Sequence, residues 1–241
     1  AKSLRKRPAA SAPMAGYCWS MATTKQNKYA ACSALQASPR CSRATIWWGL
    51  SGAPVDSGAE MNIALIGGGM VGQCFAQAFA AHGMTVGWLW DAKPTPELHQ
   101  CAQSINASVH TDAGPWLSDA DVVVCAVFGS AAYAVAEMAV QHMRTGASFV
   151  DMTTADPSDM EKAAALFENH GMTFVDVAIT GAVQLHGAKT PLLCAGEKAA
   201  EVAALFTRLG TPIQNVGSNP GDAAALKLLR SIFTKGLEAL S

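Results

Sequence analysis

The chain has 241 residues, 17 Lys and Arg against 18 Asp and Glu, a formal net charge of -1, and a composition that is 50% hydrophobic. That length suits one large α/β domain or two small ones. Near-neutral charge argues against nucleic acid as the main partner, since phosphate binding leaves a basic excess, and no apolar run is long enough to place the chain in a membrane.

Residues 1–60 show no sustained period of 2 or 3.6. They hold Lys2, Arg5, Lys6, Arg7, Lys25, Lys28, Arg40 and Arg43 against only Asp56 and Glu60, so everything after Met61 is net acidic. The patch Ile46-Trp47-Trp48-Gly49-Leu50 is too short to make a core. The segment reads as disordered, and as an extension upstream of a natural start at Met61. An organelle transit peptide is the alternative, because the stretch is acid-poor and contains Arg and Ser.

From Met61 the pattern changes. Residues 61–66 read as a buried strand followed at once by glycines, and residues 71–81 as a helix with Val71, Phe75, Ala78 and Phe79 on one face. Gly83 stands where that helix should end. Residues 85–90 read as a second strand, and Thr95-Pro96-Glu97 opens a helix over 95–104. Residues 122–128 form a strongly apolar strand, after which Ser130 caps a helix to about Arg144. A strand over 148–152, a helix opened by Asp156-Pro157 and closed by Gly171, and strands over 173–177 and 192–195 come next. A helix over 197–209, a short strand near Ile213 and a helix from Pro220 to Leu240 complete the series. Alternating strands and helices imply a Rossmann-like, doubly wound α/β domain with a mainly parallel sheet.

Gly67-Gly68-Gly69-Met70-Val71-Gly72 matches G-x-G-x-x-G between a buried strand and an amphipathic helix, the context that gives the motif its force. Gly67 permits the tight turn, Gly69 lets the backbone approach a diphosphate, and Gly72 lets helix pack on strand. The free N–H groups of the helix start would receive the anion. Asp91, directly after the second strand, would accept from ribose hydroxyls and repel a 2′-phosphate. The cofactor expected is therefore NAD, with NADP left open because Lys93 could offset that repulsion.

The seven cysteines are odd in number and lack C-x-x-C spacing, and Cys74 and Cys125 lie in apolar stretches. They read as reduced thiols of a cytoplasmic protein. The scattered histidines give no ligand spacing, so no metal is expected.

Downstream, Asp151-Met152-Thr153-Thr154-Ala155-Asp156-Pro157 resembles the D-x-S-T-x-x-P pattern of the β-hydroxyacid dehydrogenases, the family of 3-hydroxyisobutyrate and 6-phosphogluconate dehydrogenases. Asp176-Val177-Ala178-Ile179-Thr180-Gly181-Ala182 resembles its D-x-P-V-S-G-G substrate loop. Gly221 to Lys227 resembles the G-x-x-x-x-x-K helix that carries its catalytic lysine. The resemblance covers 61–241 with the motifs in family order. It departs at Thr180 and Ala182, and beyond the lysine, where Arg230 and Ser231 stand in place of a usual asparagine.

The resemblance implies hydride transfer between a small 3-hydroxy acid and the cofactor, with Lys227 as general acid/base, its pKa lowered by burial or by Arg230 one turn away. Thr180, Gly181, Ala182, Arg230 and Ser231 would contact substrate. Thr153, Thr154, Phe128 and Gly129 would border the cofactor together with Met70 and Val71. Residues 61–218 would then be the dinucleotide-binding domain and 219–241 the start of a truncated all-α domain that makes the full-length protein a homodimer. An imine or pyrroline reductase and a non-catalytic dinucleotide-binding module are the competing functions. Lys227 argues against the first, because such reductases often lack it.

Overall fold

Four successive apolar residues, Ile63-Ala64-Leu65-Ile66, suit a strand covered on both faces, and this strand, β1 (Asn62–Ile66), lies in the interior of the sheet. The structure is a computed structural model that describes residues 61–153 and 155–240. The expectations for residues 1–60, and that for Thr154, fall outside the described residues.

After β1 come α1 (Met70–Ala81), β2 (Thr85–Trp90), α2 (Pro96–Ile105), β3 (Ser108–His110), β4 (Val122–Cys125) and α3 (Gly129–Val140). Then follow β5 (Ser148–Asp151), α4 (Pro157–Glu168), β6 (Thr173–Ile179), α5 (Val183–His186), β7 (Leu192–Ala195), α6 (Ala199–Thr207), β8 (Ile213–Gly217) and α7 (Asp222–Leu240). The eight strands form one sheet in the order β3-β2-β1-β4-β5-β6-β7-β8. Neighbours run parallel throughout except β6 and β7, which are antiparallel. The strand order reverses direction between β1 and β4, where ligands of open α/β sheets lodge.

Each face of the sheet buries its own set of side chains. On one, Phe75 and Phe79 of α1 meet Phe206 of α6 edge-on, with ring centroids 5.5 and 5.4 Å apart. On the other, Phe149 of β5 stacks on Phe167 of α4 at 4.5 Å. Burying such rings stabilises by about 1.5–3 kcal/mol each.

Helix starts follow the sequence signals at α2 and α4. The Thr95 hydroxyl accepts the Leu98 N–H at 3.3 Å with Pro96 at the first turn, and the Asp156 carboxylate accepts the Ser158 N–H at 2.9 Å. The expectation that Ser130 caps α3 is corrected. Phe128 holds the cap position and no side chain supplies an acceptor there. The strand expected over 122–128 also stops at Cys125, because its neighbour β1 ends at the partnered Ile66 and Gly67 then turns away. Edge strand β3, the short helix α5 and the 3-10 turns at Pro115–Asp119 and Gly187–Lys189 were not anticipated.

Candidate active site

Gly67 leaves β1 at φ +100, a conformation that L side chains rarely adopt, and a Cβ there would stand 2.5 Å from the Ala126 carbonyl oxygen. Gly72 lies so close to the Gly67 carbonyl that a Cβ would overlap it, and one would also approach Leu65 to 2.8 Å. The loop is thus clamped between strand and helix, as its spacing requires. Gly69 differs: a Cβ there meets nothing within 4 Å. It caps α1 with no side-chain acceptor, and the first turn of α1 holds no acidic residue.

These elements open onto a groove of about 630 Å³ lined in part by Gly67, Gly69, Met70, Val71, Asp91, Phe128, Gly129 and Thr153. Two helices, α1 and α3, start at this groove, and neither carries the side-chain cap that α2 and α4 possess. Uncapped N–H groups beside an unobstructed glycine fit a diphosphate, so the residues present suit a dinucleotide.

Asp91 follows β2, and both of its carboxylate oxygens already accept backbone N–H groups, Oδ2 from Gly68 at 2.7 Å and Oδ1 from Lys93 at 2.8 Å. It therefore braces the glycine loop besides lining the groove. Gly68 itself faces away from the groove, where a Cβ would strike Leu98, and its carbonyl accepts from the Gln73 amide at 2.7 Å. Gly68 and Gly72 shape the loop from behind and do not line the groove.

A second cavity of about 460 Å³ lies between the end of β6 and α7. Ile179, Thr180 and Gly181 line one side, and Lys227, Arg230, Ser231, Thr234, Lys235 and Glu238 line the other. Ile179 walls both this cavity and the cofactor groove. Burial holds the Lys227 ammonium below its ordinary pKa, while the Asp176 carboxylate opposes that shift. Burial is one of the two lowering causes expected from the sequence.

Asp176 is a residue to which sequence reasoning gave no role. It is fully buried in β6, and Oδ2 accepts the N–H of Ala224 at 2.8 Å. Burial pushes its carboxyl up to about 6 against the opposing pull of N–H groups at the start of α7. Its register partner on β5 is Asp151, also buried and also pushed up to about 6 by burial. Asp151 accepts the Thr153 N–H at 2.7 Å, fixing the turn that brings Thr153 to the groove. The signal in the sequence was an Asp inside an otherwise apolar strand, a placement that normally requires a hydrogen-bonding partner.

Most expected site residues converge at the carboxyl ends of the strands. Met70, Val71, Asp91, Phe128, Gly129 and Thr153 line the groove, and Thr180, Gly181, Lys227, Arg230 and Ser231 line the second cavity. Ala182 instead caps α5 and is not part of that lining. The Thr180 hydroxyl, expected to contact substrate, donates to the Pro191 carbonyl at 2.9 Å, so in this arrangement it faces a ligand as an acceptor. Ala92, Lys93, Ala126, Val127, Ala131, Met152 and Ile179 complete the groove; their places just after strand ends were the available signal. Among the described residues no helix is long and apolar enough to cross a membrane, and no three His, Cys, Asp or Glu gather as a metal site.

A family model described as the NAD binding domain of 6-phosphogluconate dehydrogenase matches residues 62–217. An uncharacterized 28.5 kDa protein of Methanothermus fervidus, from the 7S RNA 5′ region, is 28% identical over 139 residues, which is 58% of this chain and 52% of that one. Among solved structures, a conserved hypothetical protein from Sinorhizobium meliloti 1021 is 31% identical with a TM-score of 0.68, over 76% of this chain and 62% of that one. A conserved protein of unknown function, described as structurally similar to 3-hydroxyacid dehydrogenases, is 31% identical with a TM-score of 0.66 over 75% of this chain and 67% of that one. The chain thus spans about half of the curated relative and about three fifths of the first of these structures.

Proposed function

Because the chain belongs to the family of the NAD-binding domain of 6-phosphogluconate dehydrogenase, we propose that it binds a nicotinamide dinucleotide at the 67–72 loop and serves hydride transfer from a small 3-hydroxy acid to the oxidised nicotinamide, or from the reduced nicotinamide to the corresponding carbonyl acid. The observation that carries this reading is the shared wall: Ile179 borders both the groove below the glycine loop and the cavity that holds Lys227. A ligand in each would meet there.

The nicotinamide, when bound, supplies the hydride acceptor or donor. The chain supplies position and a proton path. Gly69 and the N-terminus of α1 take the diphosphate, and Asp91 takes ribose hydroxyls with the acceptor capacity its two backbone bonds leave. Lys227 removes the hydroxyl proton in the oxidative direction and returns it in the reductive one. Burial favours the neutral amine that oxidation needs. Thr180 and Gly181 border the substrate opposite Lys227.

The test is a panel of 3-hydroxy acids with NAD and NADP, followed by reduced-nicotinamide absorbance, beside an imine panel with the reduced cofactors. The reading expects NAD reduction by hydroxy acids that Lys227→Ala abolishes. Turnover of imines alone would replace it with a reductase. Tight cofactor binding without turnover of either class would leave a dinucleotide-binding module.

A further inference from the structure

We infer that the cavity between β6 and α7 selects a hydroxy acid bearing a second carboxylate, held by Arg230 and Lys235. The inference deepens the function just proposed and rests on it for the identity of the reacting end. Its basis is the composition of one helix face.

On α7 the cavity is lined at positions 227, 230, 231, 234, 235 and 238, an i, i+3, i+4, i+7, i+8, i+11 series that keeps a single stripe in line. Every residue in that stripe is polar, whereas Leu226, Leu229, Phe233 and Leu237 occupy other positions of the same helix. Three of the six side chains are cationic. Among the described residues, neither Arg230 nor Lys235 has a carboxylate within ion-pair distance. Two cations outside any ion pair therefore face one cavity whose lining holds a single carboxylate, Glu238, so its charge balance stays positive.

The reacting end of the substrate does not account for both. Lys227 is the proton carrier, and in a 3-hydroxy acid the first carboxylate is separated from the reacting carbon by a single methylene or methine, so it stays near Lys227. At 1.5 Å per residue, Arg230 lies about 5 Å and Lys235 about 12 Å farther along the helix axis. One carboxylate near Lys227 cannot span the distance to Lys235. A second anionic group, one to two turns along α7, would pair with the Arg230 fork and the Lys235 ammonium while Ser231 and Thr234 offer hydroxyls between them. A cavity of about 460 Å³ leaves room for an acid of intermediate length.

The experiment is calorimetric binding of unreactive acids to the full chain, with and without saturating NAD. Butyrate, valerate and hexanoate are compared with succinate, glutarate and adipate, and a phosphomonoester, glycerol 3-phosphate, forms a separate arm. At least one diacid should bind about five- to tenfold tighter than its matched monoacid, the range of one to two charge-assisted contacts. In Arg230→Ala/Lys235→Ala that preference should vanish, the diacid losing more affinity than its matched monoacid, and Arg230→Lys/Lys235→Arg should restore part of it. Both side chains line the cavity from a single helix, so circular dichroism of the double variant checks that α7 persists. Equal affinity for monoacids and diacids, or a diacid preference unchanged in the double variant, would overturn the inference. So would glycerol 3-phosphate outcompeting every diacid, which would assign the cations to a phosphate. Diacid preference in a chain that fails to bind NAD would instead sink the hydride-transfer reading and leave the anion site standing.

Discussion

Asp176 Oδ2 accepts a 2.8 Å hydrogen bond from the backbone N–H of Ala224, so a carboxylate buried in β6 anchors the first turn of α7, the helix that carries Lys227. Asp176→Ala leaves that N–H without its acceptor and should cost about 1–3 kcal/mol in denaturant melts. Asp176→Asn keeps an acceptor oxygen and removes a buried charge, so its stability near pH 7 should equal or exceed that of the unmodified chain. An Asn variant as unstable as the Ala variant would show that charge, not the hydrogen bond, anchors α7.

The same carboxylates give stability a pH dependence of definite sign. Asp151 and Asp176 are both pushed from 3.8 up to about 6 in the folded state. Between those values the fold binds more protons than the unfolded chain, so their contribution is complete below about 3.8 and lost as pH rises through about 6. Glu97 and Asp156, whose pKa values are lowered by hydrogen bonds at their helix starts, act in the opposite sense. The measurement is therefore a difference. Relative to Asp151→Asn/Asp176→Asn, the unmodified chain should lose stability from pH 4 to pH 7. A flat difference would refute the raised values.

Lys227→Ala should lower hydroxy-acid turnover by about two to four orders of magnitude, the usual loss of a positioned acid–base group. NAD affinity should change little, because the glycine loop does not depend on α7. Since Asp176 raises the lysine pKa against the lowering effect of burial, Asp176→Asn should move the alkaline midpoint of the oxidation profile to lower pH. An upward shift would overturn that electrostatic relation.

Two glycines of one loop should respond oppositely. Gly72→Ala drives a methyl into the Gly67 carbonyl, and should destabilise the chain by about 1–3 kcal/mol, as overpacking does. Gly69→Ala meets open space and should leave the melting temperature without cofactor unchanged while weakening NAD binding. Fluorescence titration with NAD and a thermal melt of each variant separate the two effects. Unimpaired NAD affinity in Gly69→Ala would refute its place beside the diphosphate.

Asp91 should favour NAD over NADP, and Asp91→Asn should narrow the gap, because the amide no longer repels a 2′-phosphate. Asp91→Ala also removes acceptors for the Gly68 and Lys93 N–H groups, so it should lower the melting temperature as well. Parallel titrations with both dinucleotides check this. Equal affinities in the unmodified chain would end the assignment.

The glycine loop, the helices over 70–81 and 96–105 and the parallel core were legible because their signals are local: periodicity, turn residues and caps. What escaped depends on neighbours. β3 has only three residues, Ser108-Val109-His110, and gains its identity from pairing with Trp88 to Trp90. β7 reads as a strand, but nothing in Leu192-Leu193-Cys194-Ala195 encodes that it runs against β6. Residues Ala126 to Phe128 are as apolar as a strand, yet they leave the sheet, and Phe128 is 87% exposed at the groove. That the Thr180 hydroxyl donates to the Pro191 carbonyl was not legible, because that acceptor lies eleven residues away on another segment. Asp176 was visible as a letter, but its partner on α7 was not.

Ile179 lines both cavities at once. A synthetic compound that places a nicotinamide mimic on one side of it and a carboxylate on the other could occupy both with a short tether. Once the first half docks, the second encounters its site at an effective concentration of the order of millimolar. Weak fragments joined across this partition should therefore gain residence time well beyond either alone.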